Sequence, residues 1–289
     1  HLKLMLAGDV MTGRGIDQIL AHPSAPGLRE GLVHDARDYV RLAEALHGRI
    51  GVPVSADYVW GEALAAIERA APDLRIVNLE TAVTTSDDAW PAKGVHYRMN
   101  PANADCLTAA RIDACTLANN HVLDWGRQGM QQTLQVLHAA GLHTAGAGMD
   151  GVEAWAPAVL PAPGHAQVLL FAFATQSSGV PSGWAAGPRR PGIALLPDLS
   201  NTSAQVVADD VARRRNAGDL AVVSIHWGGN WGLDVPRAHR EFAHRLIELG
   251  AADVVPGHSS HHPLPVEVYR GKLILYGCGD LINDYEGIG

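Results

Sequence analysis

Basic residues never gather into a patch in this 289-residue chain. The longest cluster, Arg213-Arg214-Arg215, sits in a polar, helix-like stretch that reads as a solvated face. Charged residues make up only 18% and the formal net charge is −8. A nucleic-acid surface needs a basic stripe, so that class of partner is excluded. Cysteine is scarce too. Cys106, Cys115 and Cys278 lie far apart in apolar contexts, without the spacing of a metal site. An odd number of scattered thiols suits a reducing compartment, so a cytoplasmic location is expected. No apolar run is long enough to span a bilayer, and no signal-peptide pattern occurs.

What is present is a large apolar fraction, 47%, and fifteen histidines, several of them beside glycine and asparagine. Short apolar runs alternate with amphipathic stretches. Strands are expected at 2–8, 74–80, 112–118, LHTA (142–145), 167–175 and 219–227. Three more are expected at the end, in ADVVPGH, PVEVYRG and KLILYGCGD, the last two joined by an Arg-Gly turn. Helices are expected at 56–71, 101–111, 127–141 and 237–251. This alternation predicts an α/β fold with a mostly parallel sheet. Residues 21–55, rich in Pro, Gly, His and Arg, form a long insertion after the first strand. They read as a lid or binding loop whose removal should leave the fold intact.

The polar residues after the strands carry the functional signal. Successive apolar runs end in Asp9, in Glu80, in Asn119-Asn120-His121 with Asp124, in His226, in His258 with His261 and His262, and in Asp280. Ligands of open α/β sheets sit beyond the carboxyl ends of the strands, so six strands deliver Asp, Glu, Asn or His to one edge. Carboxylate, amide oxygen and imidazole suit a divalent ion such as Ca, Mn, Mg, Zn or Fe, and no thiolate favours a softer one. Asn120 could ligate through its carbonyl oxygen. His121 would then stand beside the ion to carry protons, oriented by Asp124. Alternatively, Asn120 caps a turn and His121 is a satisfied core residue.

Five ordered stretches, LAGDVMTGRG, RIVNLETAVT, LANNHVLDWGRQGMQQTLQVLHAAGLHTAGAG, VVSIHWGGNW and GAADVVPGHSSHHPLPVEVYRGKLILYGCGDL, resemble the CapA family. That family is linked to poly-γ-glutamate capsule synthesis and falls within the calcineurin-like metallophosphatase superfamily. The resemblance runs from about residue 2 to the end. It implies a single domain over 1–289, built as a four-layer α/β/β/α sandwich with a metal site at one sheet edge. By that resemblance Asp9, Glu80, Asn120, His226 and His258 are the expected metal ligands, and His261 matches the second histidine of the last motif. Two-metal phosphoesterases carry Asp-x-His in the first motif. Here Val10 and Met11 follow Asp9, the last motif reads GHSSH, and Asp280 stands where many relatives have Asn. A single tightly held ion is expected at least as much as a dinuclear site.

Other signals are weaker. GAGMDG (146–151) has the form of a dinucleotide loop but lacks the acid and the long helix that should follow, so no nucleotide cofactor is expected. Trp227 and Trp231 could stack on a ligand or cover the core edge. Lys93, His96 and Arg98 are candidate substrate contacts or a solvated loop, and Arg14 could reach the same pocket. Three functions fit. One is phosphoester hydrolysis. The second is a non-catalytic capsule subunit that binds polyglutamate. The third is acid–base chemistry at a peptide Cα, using His121, Asp124, His261 and Asp280. The resemblance extends to lasso-peptide epimerases, and epimerisation of a peptide substrate is the sharpest expectation.

Overall fold

The computed structural model describes residues 2–165 and 167–286. The first apolar run forms β1 (Leu4–Val10), and α1 (Arg14–Ile19) follows at once. The 21–55 insertion is not a bare loop, because it contains α2 (Arg37–His47). Then come α3 (Ala63–Ala70), β2 (Leu74–Leu79), β3 (Ala82–Val83), β4 (Arg98–Met99), α4 (Asp105–Ala109), β5 (Ala114–Thr116), α5 (Gly126–Ala139) and β6 (His143–Ala145). The second half holds β7 (Ala147–Gly148), α6 (Gly151–Trp155), β8 (Ala158–Pro161), β9 (Gln167–Ala174), β10 (Gly192–Ile193), α7 (Asn201–Arg214), β11 (Leu220–His226) and α8 (Arg237–Glu248). It closes with β12 (Val254–His258), β13 (Val266–Tyr269), β14 (Lys272–Leu275) and β15 (Asp280–Ile282). The helix expected over 56–71 is shorter because Gly61, at φ 50°, separates a 3₁₀ turn from α3. The one over 101–111 is a proline-initiated 3₁₀ turn followed by the short α4.

Two sheets carry the molecule. One is parallel, in the order β15-β1-β2-β5-β6; the other runs β13-β14-β12-β11-β9-β8, parallel except for its two edge strands. Alternate residues of β9 face opposite ways, as a strand requires. Leu169, Phe171 and Phe173 pack with Val207 and Val211 of α7 and with Phe242 and Leu246 of α8. Val168, Leu170 and Ala172 join the core of the first sheet, where Ile76, Cys115 and the α5 residues Met130, Leu134 and Leu137 lie. The layers therefore run α/β/β/α, as the resemblance implied. No helix among the described residues is long and apolar enough to cross a membrane.

One strand departs from expectation in a way that matters for the site. KLILYGCGD splits: β14 ends at Leu275 in the second sheet, and β15 begins at Asp280 in the first. Gly279, at φ 72°, makes the crossing. Its carbonyl oxygen packs so close to Gly8 that a Cβ there would lie 1.7 Å from it. The reward is register: Asp280 becomes the direct neighbour of Asp9 on the parallel strand.

Candidate metal and acid–base site

Parallel pairing brings the strand ends together. Asp9 is aligned with Asn78 on β2 and with Asp280 on β15, while His226 is aligned with His258 across β11 and β12. Two donor sets result among the described residues, Asp9–His261–Asp280 and Asp9–Glu80–His226, each with its ligand atoms within 4.8 Å of one another. Asp9 belongs to both. His258 Nδ1 lies 3.4 Å from Asp9 Oδ1, and Asn120 Oδ1 lies 3.1 Å from His226 Nε2. All five expected ligands are thus at one edge. His261 and Asp280, expected to act as acid–base groups, sit with Asp9 instead. Their own contact is 3.0 Å, from His261 Nδ1 to the Asp280 carboxylate. The β15 crossing is the reason.

The donor chemistry fits a divalent cation. Asp9 Oδ2, Glu80 Oε2, His226 Nδ1 and His258 Nδ1 are buried without a hydrogen-bond partner. Four such atoms in one place are costly unless something else satisfies them. Burial raises Glu80 well above the usual carboxyl range, and the neighbouring Asp9 charge adds to this. Burial works against Asp9 as well, but contacts with His258 and Glu80 hold it below the usual range. Burial pushes His226 down to about 3. A buried Asp9 carboxylate facing the neutral His226 imidazole is an arrangement that a cation would complete.

A second feature lies beside the donors. His121 Nδ1 is 2.7 Å from Asp124 Oδ2, and Lys93 Nζ reaches both His121 Nδ1, at 3.1 Å, and Asp124 Oδ1. Burial, with Lys93 nearby, pushes His121 down to about 4, so its imidazole is neutral. Asp124 takes the Nδ1 side, which leaves His121 Nε2 as the free nitrogen, 3.7 Å from Glu80 Oε1. Tyr97 stacks on the imidazole at 3.9 Å and donates its backbone N–H to Asp124. Asn119, wholly buried, shapes the turn. Its Oδ1 accepts from the His121 and Val122 N–H groups, and its Nδ2 donates to Asn78 Oδ1 and Leu79 O. The turn reading and the reaction-centre reading of this segment therefore apply to different asparagines.

Glu80, Asn120, His121 and His261 open onto a cavity of about 500 Å³ that Lys93, Arg14 and Trp231 also line. The remaining substrate candidates are elsewhere. His96 is buried with Nε2 on Trp90 O, and Arg98 lies over Trp125 and bonds Ser86 O and Asp87. Trp227 is a core residue, donating to Tyr276 O and stacked on His239. Arg14 reaches the cavity with its charge already answered by Glu30 and Asp284. Sequence reasoning missed Asn78, which donates to Asp9 Oδ1 at 2.7 Å, and the cavity tyrosines Tyr39, Tyr97 and Tyr285. An asparagine inside the fully buried LRIVNL strand was the available signal for Asn78.

The model of the bacterial capsule synthesis protein family PGA_cap matches residues 3–285. The chain belongs to that family. A Mycobacterium tuberculosis relative named "Probable polyglutamine synthesis accessory protein" is 50% identical over 292 residues, covering 100% of this chain and 76% of its own length. The "PGA biosynthesis protein CapA" of Bacillus subtilis is 26% identical over 286 residues, 98% of this chain and 63% of that protein. The "Capsule biosynthesis protein CapA" of Bacillus anthracis is 25% identical over 193 residues, 66% of this chain and 45% of its own. A solved structure, TT1561 of Thermus thermophilus, aligns over 77% of this chain and 84% of its own. At TM-score 0.44 and 9% identity it is too remote to bear on the reading. The PGA_cap match thus spans both sheets and every strand end that delivers a donor.

Proposed function

We propose that this PGA_cap protein is a metal-dependent hydrolase acting on a glutamate polymer during its synthesis, with the reaction at the cavity above Asp9. The observation that carries the reading is the sharing of Asp9 by two donor sets beside a His121–Asp124 pair whose imidazole opens onto the cavity. The relatives' names supply the polymer. Charge supplies the need for a cation. Lys93 is paired with Asp124, Arg14 is spent on Glu30 and Asp284, and Asp9 and Asp280 have no cationic side chain paired with them among the described residues. An acidic chain would be repelled from this edge unless cations were held there.

Two ions fit the two donor sets better than the single ion expected from the sequence, because Asp280 and His261 supply the ligands that the first motif lacks. Divalent ions bound there would supply Lewis-acid polarisation of the substrate carbonyl and a nucleophile at neutral pH. The rest falls to the chain. His121 Nε2 takes the proton of the attacking water and delivers it to the departing amide nitrogen as the C–N bond breaks and the C–O bond forms. Asp124 fixes the Nδ1 tautomer and stabilises the imidazolium in between. Tyr97 holds the ring plane.

The test is incubation of Mn²⁺-loaded protein with poly-γ-glutamate in D₂O, followed by size-exclusion chromatography and mass spectrometry. Shortened chains support hydrolysis. Full-length chains with deuterium at Cα would select epimerisation, the sharpest expectation from the sequence, which the relatives' names do not favour. Turnover of bis(p-nitrophenyl) phosphate with the polymer untouched would select a phosphoesterase.

A further inference from the structure

The HWGGNWG segment after β11 presents its two tryptophans differently. Trp227 is buried, whereas Trp231 is 73% exposed although it lines the cavity. We infer that Trp231 is a platform for the stem of an extended, amide-linked acidic chain, binding the part of the substrate that runs out of the cavity away from the reacting bond. The inference rests on the polymer reading of the site.

The loop is built to hold the ring in place. Gly228 and Gly232, at φ 77° and 111°, bracket it in conformations that side chains rarely adopt. The Gly228 N–H donates to Ser177 Oγ, Ser259 Oγ donates to Gly228 O, and the His261 N–H donates to Asn230 O, all at 3.0 Å. Trp231 is thus tied, through its neighbour Asn230, to the segment that carries the donor His261. Its ring centroid lies 5.3 Å from that imidazole and 6.3 Å from His262, and most of the residue remains in water. An indole fixed at the mouth of a polar cavity is poorly placed for folding stability and well placed for contact. Leu233, 78% exposed on the same loop, extends the apolar surface outward. A γ-glutamyl chain offers methylene and amide stems that lie flat on an aromatic face while its carboxylates stay hydrated. Most of Trp231 lies in water beyond the donors, so a longer chain would cover more of the ring than a short one, and the ring reads substrate length.

The experiment measures binding of γ-linked glutamate dimers and decamers to Mn²⁺-loaded wild type, Trp231→Ala and Trp231→Phe by calorimetry, with decamer cleavage alongside. The decamer should bind the wild type more tightly than the dimer does. Trp231→Ala should erase about tenfold of that difference and raise KM more than it lowers kcat, and Trp231→Phe should restore most of it. Equal length dependence in wild type and Trp231→Ala overturns the platform, as does a wild type that binds neither oligomer. A change in sedimentation on Trp231→Ala with oligomer binding untouched would make the surface a protein interface and also overturn it. Trp231-dependent decamer binding without any cleavage would keep the platform and sink the hydrolase reading instead.

Discussion

Substituting Asp9 by Asn separates the metal reading from a purely structural one, because only the metal reading predicts that the variant loses the response to added ion. Asp9 is 2% exposed; Oδ1 accepts from Asn78 and Oδ2 has no partner. An asparagine keeps the acceptor but removes a carboxylate that contacts with His258 and Glu80 hold below the usual range, so in EDTA the variant should be no more stable than wild type. With metal the gap should widen. An ion present at a hundred times its Kd stabilises a fold by about 2.7 kcal/mol, which for a domain of this size is about 4–5 °C in Tm for each ion. The wild type should gain that on addition of Mn²⁺ and Asp9→Asn should gain little. Stoichiometry sharpens the test. Asp9 stands in both donor sets, Asp280 in one and Glu80 and His226 in the other. Elemental analysis should therefore find two ions in wild type, one in Asp280→Asn or His226→Ala, and none held tightly in Asp9→Asn. An Asp9→Asn protein with the wild-type metal content and the full Tm gain would refute the assignment. A wild type that saturates at one ion would return the single-ion expectation.

Further outcomes follow from the same geometry. His121→Ala should keep its metal and lose about 10²–10⁴-fold in turnover, with Asp124→Asn less impaired; loss of metal in His121→Ala would make His121 a ligand. Asn119→Ala deletes four buried hydrogen bonds and should cost about 3 kcal/mol in urea denaturation, whereas a cost under 1 kcal/mol would mean the turn holds itself. His239, buried against Trp227 with Nδ1 unpartnered, is pushed by burial down to about 4. The unfolded chain therefore binds the extra proton first, and stability should fall as pH drops from about 6.5 towards 4, by about 2 kcal/mol at pH 5. His239→Phe, whatever its baseline, should lose that share of the pH dependence, and an unchanged slope would show the imidazole to be charged in the fold.

What the sequence disclosed depended on locality. Asp9, Glu80, His226 and His258 were readable because short apolar strands that end in polar residues at one edge are a pattern along the chain. Asp280 was readable as a strand-end acid but not as the neighbour of Asp9, since that requires the chain to change sheets within GCG, and nothing periodic marks such a crossing. Trp227 and Trp231 share a motif and diverge only through what packs on them, α8 through His239 in one case and solvent in the other. Lys93, His96 and Arg98 span six positions, yet only Lys93 turns to the cavity. Sequence spacing cannot assign side-chain direction in an irregular loop.

The 21–55 insertion, expected as a lid or binding loop, is bonded to residues that line the cavity. As a detachable lid it should have been dispensable to the fold. Instead Glu30 and Tyr39, from this segment, hold Arg14, whose guanidinium lies 4.0 Å from the Tyr39 ring, 4.9 Å from Tyr97 and 5.4 Å from Tyr285. Tyr97 is the ring stacked on His121. Excision would leave a buried cation facing Asp284 alone, and breaking a buried ionic cluster in this way costs about 3–5 kcal/mol. The segment is therefore tied through one arginine and one tyrosine to the His121 imidazole. A change that merely loosens it, rather than removing it, is the one that would alter how His121 is held while sparing the two sheets beneath.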